Sequence, residues 1–181
     1  MKFLLLILIF LTDLLSADSK QHLFELYQQR NYLQACDLGK QGFQYHLSDE
    51  AYISLYAFSC LKADVIDRLA GPIMVLNQTK EARANSSYFS VIVMQKKLLM
   101  QSLYDNKPLQ SLKFPTSSHL LSKVFDWYLK DPQSNQFVKE FKDPSDTHSS
   151  YKLYTTTEIN GRKSIAIDEY YDKILTFHHV Y

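Results

Sequence analysis

The sequence predicts an α+β chain, mostly α, in which antiparallel helix pairs come first and a three-stranded antiparallel β meander comes last. Three observations carry this reading. Only 4 glycines and 5 prolines interrupt 181 residues, too few breakers for a many-turned β-sandwich. Apolar side chains recur at helical spacing for most of the chain, and from Tyr151 the period changes to two. An aromatic fraction of 14 % supplies enough large side chains for a real core.

The first segment is a targeting signal by its order. Lys2 precedes the unbroken apolar run Phe3 to Leu11, and after Thr12 and Asp13 come Leu14, Leu15, Ser16 and Ala17. Charged, apolar, small is the order of a secretory signal peptide, so residues 1–17 are assigned to one, cut after Ala17. A bilayer core needs roughly 20 apolar residues, and Asp13 stops the run early, so no integral membrane span is expected after cleavage. Cleavage removes one charge of each sign, Lys2 and Asp13, and leaves the net charge at +1. That balance gives no push towards nucleic acid or an anionic membrane surface. The expected location is periplasmic or secreted.

Residues 18–145 read as helical. A first helix is predicted over Ser19 to Gln29, with Leu23, Leu26 and Tyr27 on one face, followed by a turn at Arg30 and Asn31. A second runs from Tyr32 to about Leu47. Ser48, Asp49 and Glu50 supply the N-cap and acidic first turn of a third, Ala51 to Ala63, which is apolar nearly all round and belongs in the middle. Asp64 is expected to cap the next helix, which Gly71 and Pro72 break or kink. A long helix follows over Lys80 to Tyr104, then one over His119 to Lys130 with the stripe Leu120, Leu121, Val124, Phe125 and Tyr128. A short helical piece is expected around Phe137 to Phe141.

The polar stretch Asp143 to Ser150 marks the change to the β region, 146–181. Tyr151 to Ile159 and Arg162 to Tyr170 flank Asn160 and Gly161, whose tolerance of positive φ suits a two-residue hairpin turn. Asp172 and Lys173 turn the chain into a last strand, Ile174 to Tyr181. Three strands need something to lie on, so the face carrying Ile165, Ile167, Leu175 and Phe177 is expected to pack on helices.

The stretch Leu26-Tyr27-Gln28-Gln29-Arg30-Asn31-Tyr32-Leu33-Gln34-Ala35 resembles the junction between the two helices of a tetratricopeptide repeat. Tyr32 and Ala35 fall on the positions that let the paired helices of that family pack closely, and Gly42 matches the small residue one heptad beyond. Leu23, Gly39 and Leu47 depart from the pattern, and one repeat length on, about 34 residues, Ile66 and Leu69 do not continue it. The resemblance covers about one repeat and implies recognition of a protein or peptide in a groove between stacked helices.

Cys36 and Cys60 lie at equal distances from the predicted turn at Ser48, as do the small pairs Gly39 with Ala57 and Gly42 with Ser54. Helix axes normally sit about 8–10 Å apart, and a disulfide wants Cα atoms within about 7 Å, so small residues along the seam favour a bond. With an oxidising compartment already argued, a Cys36–Cys60 disulfide is expected. Two buried free thiols are the alternative, and two cysteines alone make only half of a zinc site.

No residue set reads as catalytic, and neither a metal nor a cofactor is expected. No Gly-x-Ser-x-Gly elbow and no Gly-rich phosphate loop occur. His178 and His179 are adjacent, so in a strand they point to opposite faces. Asp64 and Asp67 read as caps, and Lys96 with Lys97 as the solvated face of the long helix. Asn77-Gln-Thr79 and Asn85-Ser-Ser87 fit glycosylation acceptors, relevant only in a eukaryotic secretory pathway. Trp127 and Tyr154 lie off the inward positions of their elements, either as exposed binding anchors or as contacts between helix and sheet. The function expected is a non-catalytic binding or scaffold module for a protein or peptide partner in the cell envelope, binding no nucleic acid. An extracytoplasmic hydrolase and a structural envelope component that pairs through a sheet edge are the alternatives.

Overall fold

The computed structural model describes residues 19–109, 113–130 and 138–181; residues 1–17, read above as a signal peptide, lie outside these. The order is α1 (19–28), α2 (Tyr32–Gly42), α3 (Glu50–Lys62), α4 (Ala70–Val75), α5 (Lys80–Asp105), α6 (Leu120–Lys130), then β1 (Val138–Asp143), β2 (Asp146–Thr157), β3 (Lys163–Tyr171) and β4 (Ile174–Val180). The class is α+β, with the sheet C-terminal as expected. The chain divides into two units, the first ending at Ser87 and the second starting at Tyr88. That division falls inside α5.

In the first unit, α3 is the central element: Tyr52, Ile53, Tyr56, Ala57, Ser59, Cys60 and Leu61 are all buried. Asp49 caps it, its carboxylate accepting from the backbone N–H groups of Ala51 and Tyr52, and is itself held by Lys20 at 2.8 Å. The second helix is shorter than its apolar pattern implied. It ends at Gly42 and tightens into a 3₁₀ turn, Phe43–Tyr45.

Two helices of this unit end in the same way. Val65 N–H reaches back to Cys60 C=O and Asp64 N–H to Leu61 C=O; Asn31 N–H reaches Leu26 C=O and Arg30 N–H reaches Tyr27 C=O. This is the Schellman arrangement, in which the residue after the cap is left-handed. Asp64 and Arg30 take that place with φ of 60° and 62°. Asp64 therefore ends α3, and does not cap the next helix. That element begins as a 3₁₀ turn, Ile66–Leu69, with no side-chain cap, and passes into α4. Pro72 breaks nothing, because it lies in the first turn of α4, where a backbone donor is not needed.

In the second unit, α5 buries Phe89, Ile92, Gln95, Lys96, Leu99 and Ser102, a stripe at helical spacing. Lys96 is thus not on the solvated face; only Lys97 is exposed. Glu158 is held below the usual carboxylate range first by the Ser164 hydroxyl, then by Arg162 and Asn160, with the Lys96 charge adding least. The sheet is antiparallel in the order β1-β2-β3-β4. It has four strands rather than three, because Val138 to Phe141, part of the piece expected to be helical, lies in β1; Phe137 is outside the described residues. The misreading has a physical source. Lys139 occupies an inward position, only 4 % exposed, with its ammonium 4.3 Å from the centre of the Tyr128 ring, so a charged residue interrupts the alternation that would have marked the strand.

The turns also differ from expectation in one place. At Asn160 and Gly161 the loop has three residues: Gly161 N–H bonds to Glu158 C=O, Glu158 N–H to Arg162 C=O, and of the three only Gly161 has positive φ, at 81°. That is a turn followed by a left-handed residue, not the two-residue form. Asp172 and Lys173 do make a two-residue turn, with φ of 48° and 69°.

Candidate binding surface on the C-terminal sheet

The two faces of the sheet differ in cover. One face carries Tyr151 and Leu153 of β2 and Ile165 and Ile167 of β3, all buried. Trp127 of α6 packs on it, its ring centre 5.2 Å from that of Tyr151 and 6.2 Å from that of Phe141. The Tyr104 hydroxyl of α5 donates to the carbonyls of Thr156 and Ser164, both at 2.7 Å. Trp127 is therefore a contact between helix and sheet and not an exposed anchor.

Tyr154 points to the other face, so the two residues read as anchors are not brought together. Its hydroxyl donates to both carboxylate oxygens of Asp168, at 3.1 and 3.2 Å, and His178 Nδ1 lies 2.6 Å from Asp168 Oδ1. Beside this group Lys152 pairs with Glu140 at 3.0 Å. Burial, then the hydrogen bond and charge of Asp168, push the Tyr154 phenol up to about 12. His179 faces the opposite way, 2.8 Å from Glu169 and stacked on Tyr181, as adjacent strand residues must. The two histidines do not share a ligand, and among the described residues no cluster of three His, Cys, Asp or Glu side chains is placed to hold a metal. A shallow cavity of about 730 Å³ opens by the β2–β3 turn, lined by Thr156, Glu158, Asn160, His178 and Val180 among others.

The expectation for Leu175 and Phe177 fails. Ile165 and Ile167 are covered, but Leu175 and Phe177 are 52 % and 63 % exposed, and with Ile174 at 70 % and Tyr171 at 50 % they form an apolar tip on the β3–β4 hairpin. For Leu175 the cause lies in the register. Glu169 pairs with Phe177 but Tyr170 pairs with Leu175, leaving Thr176 as an extra residue, so β4 is bulged there. The bulge turns Leu175 to the face of Asp168, whereas Phe177 keeps the face of Ile165 and Ile167 and is exposed on it. Single exposed apolar residues are ordinary, whereas several within one short stretch mark a contact site. The first unit has exposed apolar residues as well: Phe24 on α1, Leu33 on α2, Met74 on α4, and Tyr45 with Leu47 in the stretch after α2.

Charged groups of both signs border the tip: Lys173 stands beside Asp172 in its turn and Lys142 beside Asp143 in β1, both exposed. Asp172 occupies its turn, bonded to His148 Nδ1 at 2.6 Å. The β1–β2 turn at the same end of the sheet carries Asp143 and Asp146. Hydrogen bonds from the Ser145 hydroxyl and backbone hold the Asp143 carboxyl below the usual range, and those from Ser149 and the His148 backbone do the same for Asp146.

In the first unit Cys36 and Cys60 form a disulfide, with Cα atoms 4.7 Å apart. The glycines of the seam do not face Ala57 and Ser54. A Cβ on Gly39 would meet the Tyr56 ring at 2.5 Å, and one on Gly42 would run into the Tyr52 hydroxyl. The close approach of α2 and α3 is made by tyrosine over glycine. Arg68 reaches the same place, donating to Asp37 at 2.6 Å and to the Cys36 sulfur at 3.2 Å. Glu50, read only as a first-turn acid, accepts from the backbone N–H groups of Asn77, Gln78 and Thr79 and so ties the α4–α5 loop to α3. Of the two glycosylation motifs, Asn77 is exposed, whereas the Asn85 amide donates to Ser54 at 3.2 Å.

Among the described residues no helix is long and apolar enough to cross a membrane. Comparisons with protein-family models, with characterised proteins and with solved structures find no match for this chain.

Proposed function

We propose that the protein is exported and acts as a non-catalytic binding module, engaging a protein partner in the cell envelope through the apolar tip of its β3–β4 hairpin. The observation that carries this is the concentration of Tyr171, Ile174, Leu175 and Phe177 in one exposed stretch. The rim carries Asp143, Asp146 and Asp172 together with Lys142 and Lys173, so the partner expected is a protein surface with an apolar centre and charges of both signs around it.

Export is supported by the charged-apolar-small order of residues 1–17 and by the Cys36–Cys60 bond, because structural disulfides persist in oxidising compartments. The repeat-like reading rests on the sequence positions of Tyr32, Ala35 and Gly42, with the first unit as the scaffold. Mass spectrometry of the protein from its native host should find a chain beginning at Asp18, and an intact chain in the cytosol would end the export reading.

A photo-crosslinking side chain placed at Ile174 or Phe177 should give a covalent protein adduct in the exporting cell, lost in Leu175→Glu. Adducts from Leu33 or Met74, with none from the hairpin tip, would move the site to the helices and defeat this assignment.

One arrangement favours a second reading. The Asp168–His178 pair beside the cavity at Thr156 is a general base held by a carboxylate, which an extracytoplasmic hydrolase would need. Hydrolysis of a model ester that disappears in His178→Ala would establish it.

A further inference from the structure

We propose that β4 is held by a proton-dependent latch made of three histidine–carboxylate pairs, which tightens the apolar tip into the sheet when the imidazoles are charged and loosens it when they are neutral. The inference rests on the reading of that tip as the docking surface, and it concerns the regulation of the same site.

Three of the 6 histidines in the chain lie in the sheet, and each faces a carboxylate of β3 or of the β3–β4 turn. His148 of β2 meets Asp172 at 2.6 Å, His178 of β4 meets Asp168 at 2.6 Å, and His179 of β4 meets Glu169 at 2.8 Å. The last two pairs pin β4 to β3 from opposite faces, and the first pins the hairpin tip to β2.

Burial fastens this strand only at its C-terminal end, where Tyr181 is buried and exchanges backbone hydrogen bonds with Ile165. Residues 174–178 are all exposed, so apolar burial contributes little there, and β4 is an edge strand interrupted by the bulge at Thr176. By contrast β3, one strand in, buries Ile165, Ala166 and Ile167 completely. A weakly buried strand joined through ionisable pairs is the part of a sheet whose opening follows the charge of those pairs.

The surrounding groups fix the sign. His148 is faced by Asp172 and Asp146 and lies against the Tyr171 ring; the Asp172 hydrogen bond, then its charge, raise its proton affinity above the ordinary value. Around His178 stand Asp168 and the Tyr154 hydroxyl, with the Lys152–Glu140 pair next along the face. His179 is faced by Glu169 and Tyr181, and Tyr181 in turn meets His119 at the start of α6. In all three pairs a carboxylate oxygen lies 2.6–2.8 Å from a ring nitrogen, the separation of a charge-assisted hydrogen bond. For His148, whose affinity for a proton is raised by folding, the stabilisation is complete below about pH 6.5 and is lost as the pH rises through the raised value.

Hydrogen exchange on the full chain tests the latch directly. Between about pH 6 and pH 8, protection factors of β4 amides, corrected for intrinsic exchange, should fall roughly threefold to tenfold, while those of β2 and β3 stay level. In the His148→Asn, His178→Asn, His179→Asn triple variant the change should vanish. Protection of β4 that does not vary with pH, or varies equally in the triple variant, overturns the proposal. Should the triple variant not fold, proton NMR of the wild-type imidazoles decides: a midpoint of β4 opening that matches none of the three rings overturns it equally. The measurement needs no partner, so a failed latch with intact crosslinking from Phe177 leaves the docking surface standing, and the reverse result leaves the latch without that role.

Discussion

Arg30 and Asp64 sit where helices usually finish on glycine. Both close Schellman caps with φ near +60°, a backbone region that costs an L-residue with a Cβ roughly 1–2 kcal/mol. Arg30 is exposed, so Arg30→Gly should raise stability by about 1 kcal/mol, read as a higher denaturant midpoint at unchanged slope. The glycines of α2 predict the opposite sign. Gly39→Ala pushes a methyl group into the Tyr56 ring and should destabilise by about 1–3 kcal/mol. A single sequence shows that Gly39 and Gly42 line the seam with α3, since their spacing is helical. It does not show which residue fills the space above them, because that depends on how far the two helices are rotated about their axes. One position of rotation exchanges Ala57 for Tyr56.

For the elements, what was legible followed the strength of the periodic signal. The long α5, bounded by the Thr79 hydroxyl that accepts from Ala82 N–H, was readable at both ends because caps and pattern agree. The sheet was readable in β2 and β3 and misread at its edges. An inward Lys139 hid β1, and the bulge at Thr176 turned Leu175 to the other face. Both misreadings arise where a local rule yields to tertiary structure, and the candidate site lies beside the second of them. The outer face carries its own prediction. Tyr154 has its phenol raised to about 12, chiefly by burial and then by Asp168. A group whose proton is held more tightly in the folded state contributes stability that is full below its unfolded value of about 10 and is lost as the pH rises through about 12. Tyr154→Phe should therefore lose less stability than wild type across that interval, although it starts lower for want of the Asp168 hydrogen bonds. Denaturant midpoints in alkaline buffers test this, and parallel slopes in both proteins would show that Tyr154 is not the titrating group. Tyr27, Tyr52, Tyr56 and Tyr151 are also raised, so a residual slope is expected in both.

On the scale of the molecule, the two units are held by different means, and the disulfide acts in the first. Its helices α2 and α3 meet over glycine, and Cys36, Cys60, Arg68 and Asp37 converge on one seam. Closing a loop with a sequence separation of 24 stabilises a fold by about 3–3.5 kcal/mol on the chain-entropy estimate, a large share of the 5–15 kcal/mol typical of a domain. This pairing was legible in the sequence because equal distance from the turn places both cysteines at one height, although whether they face each other depends on the same helix rotation that decided what lies over Gly39 and Gly42. Reduction, or Cys36→Ser with Cys60→Ser, should lower the melting temperature and weaken amide protection in α2 and α3 first, while helix content at room temperature stays unchanged. Thiol labelling of the unreduced, denatured chain should find no free cysteine. Two labelled thiols would refute the bond in the native protein, and a melting temperature indifferent to reductant would show that the seam is held by Tyr52 and Tyr56 packed on Gly42 and Gly39, with the sulfurs contributing nothing measurable.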